Sequence, residues 1–298
     1  MDKKEINFMI RKLLKEREIK EYHIISGLDP TAVVLDIGKS VLKVAEIDMF
    51  YAEMHMHALK DIHQALSQVH VAPQLIDIYY DNGYVISEFE KIEKSEEVVS
   101  SYEAGCALGK AHSALKNIEV KKAFPWDGFY GEKAEFLCTV PLVKNEFIRK
   151  TAHELLGYIT VCGKETEHIQ YIHRDINPNN IIKSPQYTYL IDWDMAHGGY
   201  IQDDVAMSIC CLGALAQESG VGLESHCRNF LDGYREHNNV DWANSKSEVM
   251  ISAVALAGLR QGVSGWFSDK GNLSAIYWVN IIRRMEISLS LCRSLSKE

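Results

Sequence analysis

One segment limits what this chain can fold into more than any other. It runs His173-Arg174-Asp175-Ile176-Asn177-Pro178-Asn179-Asn180, then Ile181-Ile182-Lys183, Ser184-Pro185-Gln186, Tyr187-Thr188-Tyr189-Leu190-Ile191 and Asp192-Trp193-Asp194. The two runs on either side of the serine-proline turn are rich in β-branched and aromatic residues and predict a short hairpin. Asn180 stands just before the first run and Asp192 just after the second, so both fall at the hairpin's open end, about one strand spacing (~5 Å) apart. That separation suits two oxygen ligands of one metal–phosphate cluster, and Asp175 can take a proton from an attacking hydroxyl. The plain alternative is an Asx turn around a proline. The coincidence of His-Arg-Asp, the later asparagine, the hairpin and the terminal aspartate favours phosphoryl transfer.

A chain of 298 residues can form one large domain or two lobes, and 47% hydrophobic with 24% charged residues is a globular composition. The net charge of -9 and the pI near 5.8 argue against nucleic acid as a partner and are compatible with a cationic small acceptor. The amino terminus lacks a signal-peptide core. The longest apolar stretches, 205–216 and 249–259, are too short for a bilayer and read as buried helices. With seven cysteines and no Cys-x-x-Cys pair, the expected compartment is a reducing cytoplasm, with no membrane partner.

Ile6, Met9, Ile10, Leu13 and Leu14 recur at helical spacing. Strand-like runs follow at 22–25, 32–37 and 40–45, a helix is expected over 50–68, and Asn82-Gly83 marks a hairpin between 76–80 and 84–89. After the polar stretch from Lys91 to Glu97 nearly everything reads as helical. The expectation is an α+β chain of two lobes, with a small antiparallel sheet in residues 1–90 that clamps a nucleotide. Residues 91–298 would form a mainly helical lobe with the catalytic loop and the acceptor site.

Lys43 lies among apolar neighbours on the strand Val41-Leu42-Lys43-Val44, so it needs an anionic partner or a route to the surface. Glu53 on the following helix is the candidate partner; in a kinase such a pair holds the ammonium against the α- and β-phosphates. The alternative is an edge lysine and a solvated glutamate. The turn from Ser26 to Thr31 contains a single glycine, so a Gly-x-Gly-x-x-Gly cradle is absent. Glu88 and Phe89, where sheet meets linker, are where backbone groups would bond adenine.

Together, Lys43 in Val-Leu-Lys-Val, Glu53, His173-Arg174-Asp175 through Asn180, and Ile191-Asp192-Trp193-Asp194 resemble the aminoglycoside phosphotransferase family. That family shares its fold with choline kinase, homoserine kinase and, more distantly, protein kinases. Asp203-Asp204-Val205-Ala206 and Leu108-Gly109-Lys110-Ala111-His112 are similar to two of its helical segments. The resemblance implies a protein-kinase-like fold, ATP or GTP as donor, Mg2+, and transfer of the γ-phosphoryl group to a hydroxyl of an aminoglycoside-like antibiotic or related metabolite. It makes Asp175 the catalytic base, Asn180 and Asp192 the metal ligands, and Lys43 a phosphate ligand oriented by Glu53. His173 and Asp204 become supports of the catalytic loop. Arg174 replaces the glycine of many members, and Asp194 stands where protein kinases carry glycine.

Between Asp192 and Asp204 there is no Ala-Pro-Glu and little room for a peptide platform, which favours a small acceptor over a protein. A nucleotide-binding pseudokinase stays open as an alternative. His55, His57, His63 and His70 read as residues of a surface helix, because positions two apart do not share a helical face. Trp242, Trp266, Phe267, Tyr277 and Trp278 are candidates for an acceptor pocket or for ordinary packing.

Overall fold

The computed structural model describes residues 3–26, 32–121, 129–159, 169–218, 220–238 and 247–264. Helix α1 (Lys3–Glu16) turns Ile6, Met9, Ile10, Leu13 and Leu14 to one side, and all are buried. They cover one face of an antiparallel sheet made of β1 (His23–Ser26), β2 (Ala32–Asp36), β3 (Ser40–Glu46), β4 (Leu75–Asp81) and β5 (Tyr84–Glu90). Its spatial order is β1-β2-β3-β5-β4. Asn82 and Gly83 both take positive φ, 49° and 89°, as a tight turn between β4 and β5 requires.

Strand alternation then decides where the functional lysine points. Leu42, Val44, Tyr84 and Ile86 pack on α1, so Lys43 and its cross-strand partner Ser87 face the opposite side. That side meets α2 (Met49–Gln68), whose inner face carries Ala52, His55, Leu59, Ile62, His63 and Leu66. His55 and His63 are therefore core residues at 6% and 2% exposure, whereas His57 and His70 are exposed; the expected surface helix is half-buried.

Beyond Glu90 the elements are helices and three-residue strands. Helix α3 (Ser101–Leu115) starts with a capping box, in which Ser100 and Glu103 satisfy each other's backbone N–H groups. Then come α4 (Phe129–Thr139), α5 (Glu146–Tyr158), β6 (Gln170–Ile172), β7 (Ile181–Lys183), β8 (Thr188–Leu190) and β9 (His197–Gly199). The described part closes with α6 (Ile201–Glu218), α7 (Leu223–Arg235), α8 (Ser247–Leu259) and a last turn at Arg260–Ser264. The apolar stretches at 205–216 and 249–259 lie within α6 and α8 as expected, and residues 252–259 of α8 are buried throughout. The whole is the two-lobed, protein-kinase-like α+β arrangement. Among the described residues no helix is long and apolar enough to cross a membrane.

Lys183 ties the linker to the helical part. Its ammonium reaches Glu103 at 2.6 Å and Glu97 at 2.9 Å, and its carbonyl accepts the Ser95 N–H at 2.8 Å. The linker is thus anchored to the same hairpin that carries Asn180 and Asp192.

Candidate active site

β6 pairs with β9 and delivers the chain to His173. The His173 ring lies against Trp193 with centroids 4.5 Å apart. It makes two hydrogen bonds: Nε2 with the Ile191 carbonyl at 2.8 Å, and Nδ1 with the Asp175 N–H at 3.2 Å. A proton on Nε2 satisfies both, so this ring joins the loop before Asp175 to the end of the hairpin. Beneath it sits Asp204, fully buried at the start of α6. One of its oxygens accepts the His173 N–H at 2.5 Å, the other the Arg174 N–H at 2.6 Å, and His112 Nε2 lies 3.1 Å away. Burial works to raise the Asp204 pKa, but the bond from His112 and the surrounding positive potential hold it below the ordinary carboxylate value.

Arg174 itself has φ of 68°, in the left-handed region where glycine costs least. The position at which glycine was noted in resembling proteins is therefore the one where the backbone asks for it, and here the two bonds to Asp204 hold an arginine in that conformation. His112 in turn bonds the Tyr234 hydroxyl at 2.8 Å, extending the support into α7. Tyr234 carried no signal in the sequence, and His112 only the similarity of its helix.

Asp175 is held by two amides. Asn177 Nδ2 donates to Oδ1 at 3.0 Å; Asn180 Nδ2 donates to Oδ2 at 2.8 Å and to the Asp175 carbonyl at 2.8 Å. The expected hairpin is present, with Ile181 opposite Leu190 and Lys183 opposite Thr188. Ile191 N–H donates to the Asn180 carbonyl at 2.9 Å, so the asparagine and the residue before Asp192 face each other at the open end. Asp192 follows in a left-handed conformation, φ 66°.

Lys43 crosses from the sheet to this end of the hairpin. Its ammonium is 2.6 Å from Asp192 Oδ1 and 2.8 Å from Asp194 Oδ2. Burial acts to lower the lysine pKa, and Asp194 and then Asp192 more than offset it, leaving it at about 12. Glu53 does not join them. It is exposed, and among the described residues no ion pair connects it to Lys43. The reason is helical phase: Ala52 faces the core, and the next residue lies about 100° further round the helix, toward solvent.

Glu88 and Phe89 lie near the end of β5, just before the linker. Glu88 shares the α1 face of β5, where its carboxylate takes a very short bond from Arg17 and one of 2.6 Å from the Ser40 hydroxyl. Phe89 lies on the Lys43 face with its ring 4.9 Å from His63. Both residues pair with β3 and with β4, whose register shifts between Leu75 and Asp77 opposite them, and the backbone beyond the β3 ladder begins at Lys91. Gly27 to Thr31 and the aromatic residues at 242, 266, 267, 277 and 278 lie outside the described residues.

The donors near Asp192 are hard oxygens, the type magnesium prefers when phosphates and water complete its shell. Among the described residues no group of three His, Cys, Asp or Glu side chains could hold a metal by itself. The arrangement fits a metal that arrives with its substrate: Asp192 already faces a cationic group, and Asn180 uses its amide nitrogen on Asp175, turning its oxygen elsewhere.

A protein-kinase-like sheet and helical part, joined by a linker, with an oriented aspartate beside a lysine–aspartate cluster, define the architecture of a phosphotransferase. The chain belongs to the phosphotransferase enzyme family, whose model matches residues 23–242. No curated protein sequence matches it. Among solved structures it is similar to the amicoumacin kinase hAmiN in complex with AMP-PNP, Ca2+ and Ami, at 13% identity and a TM-score of 0.66, covering 97% of this chain and 96% of that one. The aminoglycoside phosphotransferase APH(4)-Ia gives 16% identity and 0.58 over 96% and 98% of the two chains. The choline kinase LicA from Streptococcus pneumoniae gives 16% and 0.57 over 95% and 98%. At these identities the likeness is one of fold.

Proposed function

We propose that this protein is a small-molecule kinase that moves the γ-phosphoryl group of ATP or GTP onto a hydroxyl of a small acceptor. The observation that carries the reading is the Asp175 carboxylate, each oxygen fixed by an asparagine amide, beside the hairpin end where Lys43 meets Asp192 and Asp194. In this reading Asp175 takes the proton of the acceptor hydroxyl as its oxygen bonds to the γ-phosphorus. The bond from that phosphorus to the bridging oxygen breaks, and the nucleoside diphosphate leaves. Asn180 and Asp192 would hold magnesium, which when bound neutralises charge on the triphosphate. Lys43 reaches the phosphates from the sheet side, and His173 and Asp204 keep the catalytic loop in place. Adenine meets backbone near Glu88 and Phe89, where β5 runs into the linker.

On this view residues 1–90 clamp the nucleotide and residues 91–298 carry the catalytic loop and the acceptor site. The acceptor we favour is a hydroxylated amine, an aminoglycoside-like antibiotic or a related metabolite. The chain's net charge of -9 supports a cationic acceptor, and amicoumacin, aminoglycosides and choline name the substrates of fold relatives. The short connection from the turn at Trp193–Met195 through β9 to α6 supports a small acceptor, since it leaves little room for a peptide platform. A coupled assay of nucleoside diphosphate release, run with ATP and with GTP against hydroxylated amines, amino acids and aminoglycosides, tests this. Acceptor-dependent release with some of them is expected. Tight magnesium–nucleotide binding without transfer to any acceptor would instead mark a pseudokinase.

A further inference from the structure

We propose that Asp194 is the standing anionic partner of Lys43, and that Asp192 is the partner Lys43 gives up when a triphosphate and its metal enter. This rests on the kinase reading and assigns within it a positioning residue that takes the part expected of Glu53.

Lys43 is 12% exposed at its side chain and touches two carboxylates that are not equivalent. Asp192 is 41% exposed and stands at the mouth of the hairpin; Asp194 is 23% exposed. Asp194 is also the more firmly mounted. It lies on the turn Trp193–Met195, next to the Trp193 ring, which is 1% exposed and donates its ring N–H to the Leu190 carbonyl at 3.0 Å. From the α2 side the buried His55 and His63 act on its charge and favour the carboxylate. Helix α2 thus presents histidines, and the carboxylate beside Lys43 comes from the turn Trp193–Met195.

Charge argues the same way. One ammonium against two carboxylates leaves an excess negative charge that a divalent cation can take up at Asp192. Lys43 would then lie in a largely enclosed place, and an enclosed ammonium with no fixed anion is costly to hold in one position. Asp194 supplies that anion and keeps the lysine aimed at the phosphates. A carboxylate two residues after a metal ligand could alternatively serve as a further metal ligand, and the two roles separate experimentally.

The test is a double-mutant cycle of Lys43→Met and Asp194→Asn, with Glu53→Gln and Asp194→Glu beside it. In ligand-free protein, urea unfolding is expected to show strong coupling, the double variant being no less stable than the worse single one. With magnesium–AMP-PNP, calorimetry is expected to show Asp194→Asn binding about tenfold more weakly, with no further loss in the Lys43→Met background. The magnesium concentration for half-saturation stays unchanged, Asp194→Glu recovers most of the affinity, and Glu53→Gln changes it less than about twofold. Additive effects of Lys43→Met and Asp194→Asn, a raised magnesium requirement in Asp194→Asn, or an equal loss in Glu53→Gln would overturn the proposal. Should Asp194→Asn not fold, Asp194→Glu and Lys43→Met read against each other decide in the same way. If the wild type binds no magnesium–nucleotide, the kinase reading fails, while the ligand-free cycle still decides whether Asp194 partners Lys43.

Discussion

Asn180 donates its side-chain N–H to the Asp175 carboxylate at 2.8 Å and, at the same distance, to the Asp175 carbonyl. One asparagine therefore fixes both the backbone and the side chain of the proposed base. Asn180→Asp keeps the size but replaces the donor with a second anion facing Asp175. Turnover is expected to fall by on the order of 10²-fold or more, with the far-ultraviolet circular dichroism unchanged. Asn177→Ala, which removes the longer bonds of 3.0 Å to the Asp175 carboxylate and 3.2 Å to its carbonyl, should cost less. Steady-state rates of the two variants check the ranking.

Asp204 accepts two backbone N–H groups where solvent does not reach. Asparagine offers one acceptor oxygen in that place and turns an N–H toward an N–H. Asp204→Asn is expected to lose on the order of 3 kcal/mol in urea unfolding, because a buried donor goes unpaired. It should also lower turnover by letting the His173–Asp175 loop shift.

Helices α3 and α7 approach too closely for any side chain at three glycines. A Cβ at Gly105 would stand 2.0 Å from the Phe230 carbonyl oxygen, at Gly109 2.5 Å from that of Tyr234, and at Gly233 2.1 Å from that of Tyr102. All three obstacles are backbone atoms, so the helices must move apart. Gly105→Ala and Gly233→Ala are each expected to destabilise by about 3 kcal/mol or more, whereas Gly157→Ala, which meets nothing, should not. Thermal unfolding distinguishes them.

Stability should fall in mild acid. Burial lowers the pKa of His63 to about 4, and that of His197 to about 4, from an ordinary 6.5. Each is uncharged in the fold and takes up a proton more readily when unfolded. The contribution is therefore complete above pH 6.5 and is lost as pH drops from there toward 4, by on the order of 3 kcal/mol per histidine. Asp194, held below its ordinary value by Lys43 against the effect of burial, adds a further loss only at lower pH. The urea midpoint should decline steadily between pH 7 and 5. His63→Asn, which can still donate to the Pro73 carbonyl that His63 Nδ1 meets at 2.9 Å, should flatten that decline.

What the chain revealed in advance was local. The hairpin from Ile181 to Leu190, the positions of Asn180 and Asp192 at its end, and the placement of Lys43 on a strand among apolar neighbours follow from residue types a few positions apart. The partner of Lys43 did not, because it depends on the rotation of α2 against the sheet. On that helix Ala52 and His55 face inward, and Glu53, one step on from Ala52, faces outward. The chain of contacts from Asp204 through His112 to Tyr234 spans three helices and leaves no short-range pattern. The side-chain partners of Glu88 leave no local pattern for a related reason. Its side chain answers to Arg17 and Ser40 on the covered face of the sheet.

The account stands most directly on Asp175. Wild-type protein and Asp175→Asn should be compared for acceptor-dependent nucleoside diphosphate release and for magnesium–AMP-PNP affinity. Removing the base should leave affinity within about threefold and lower turnover by on the order of 10² to 10⁴. An Asp175→Asn variant that transfers phosphoryl groups at a near wild-type rate would contradict the role assigned to this carboxylate and the site built around it.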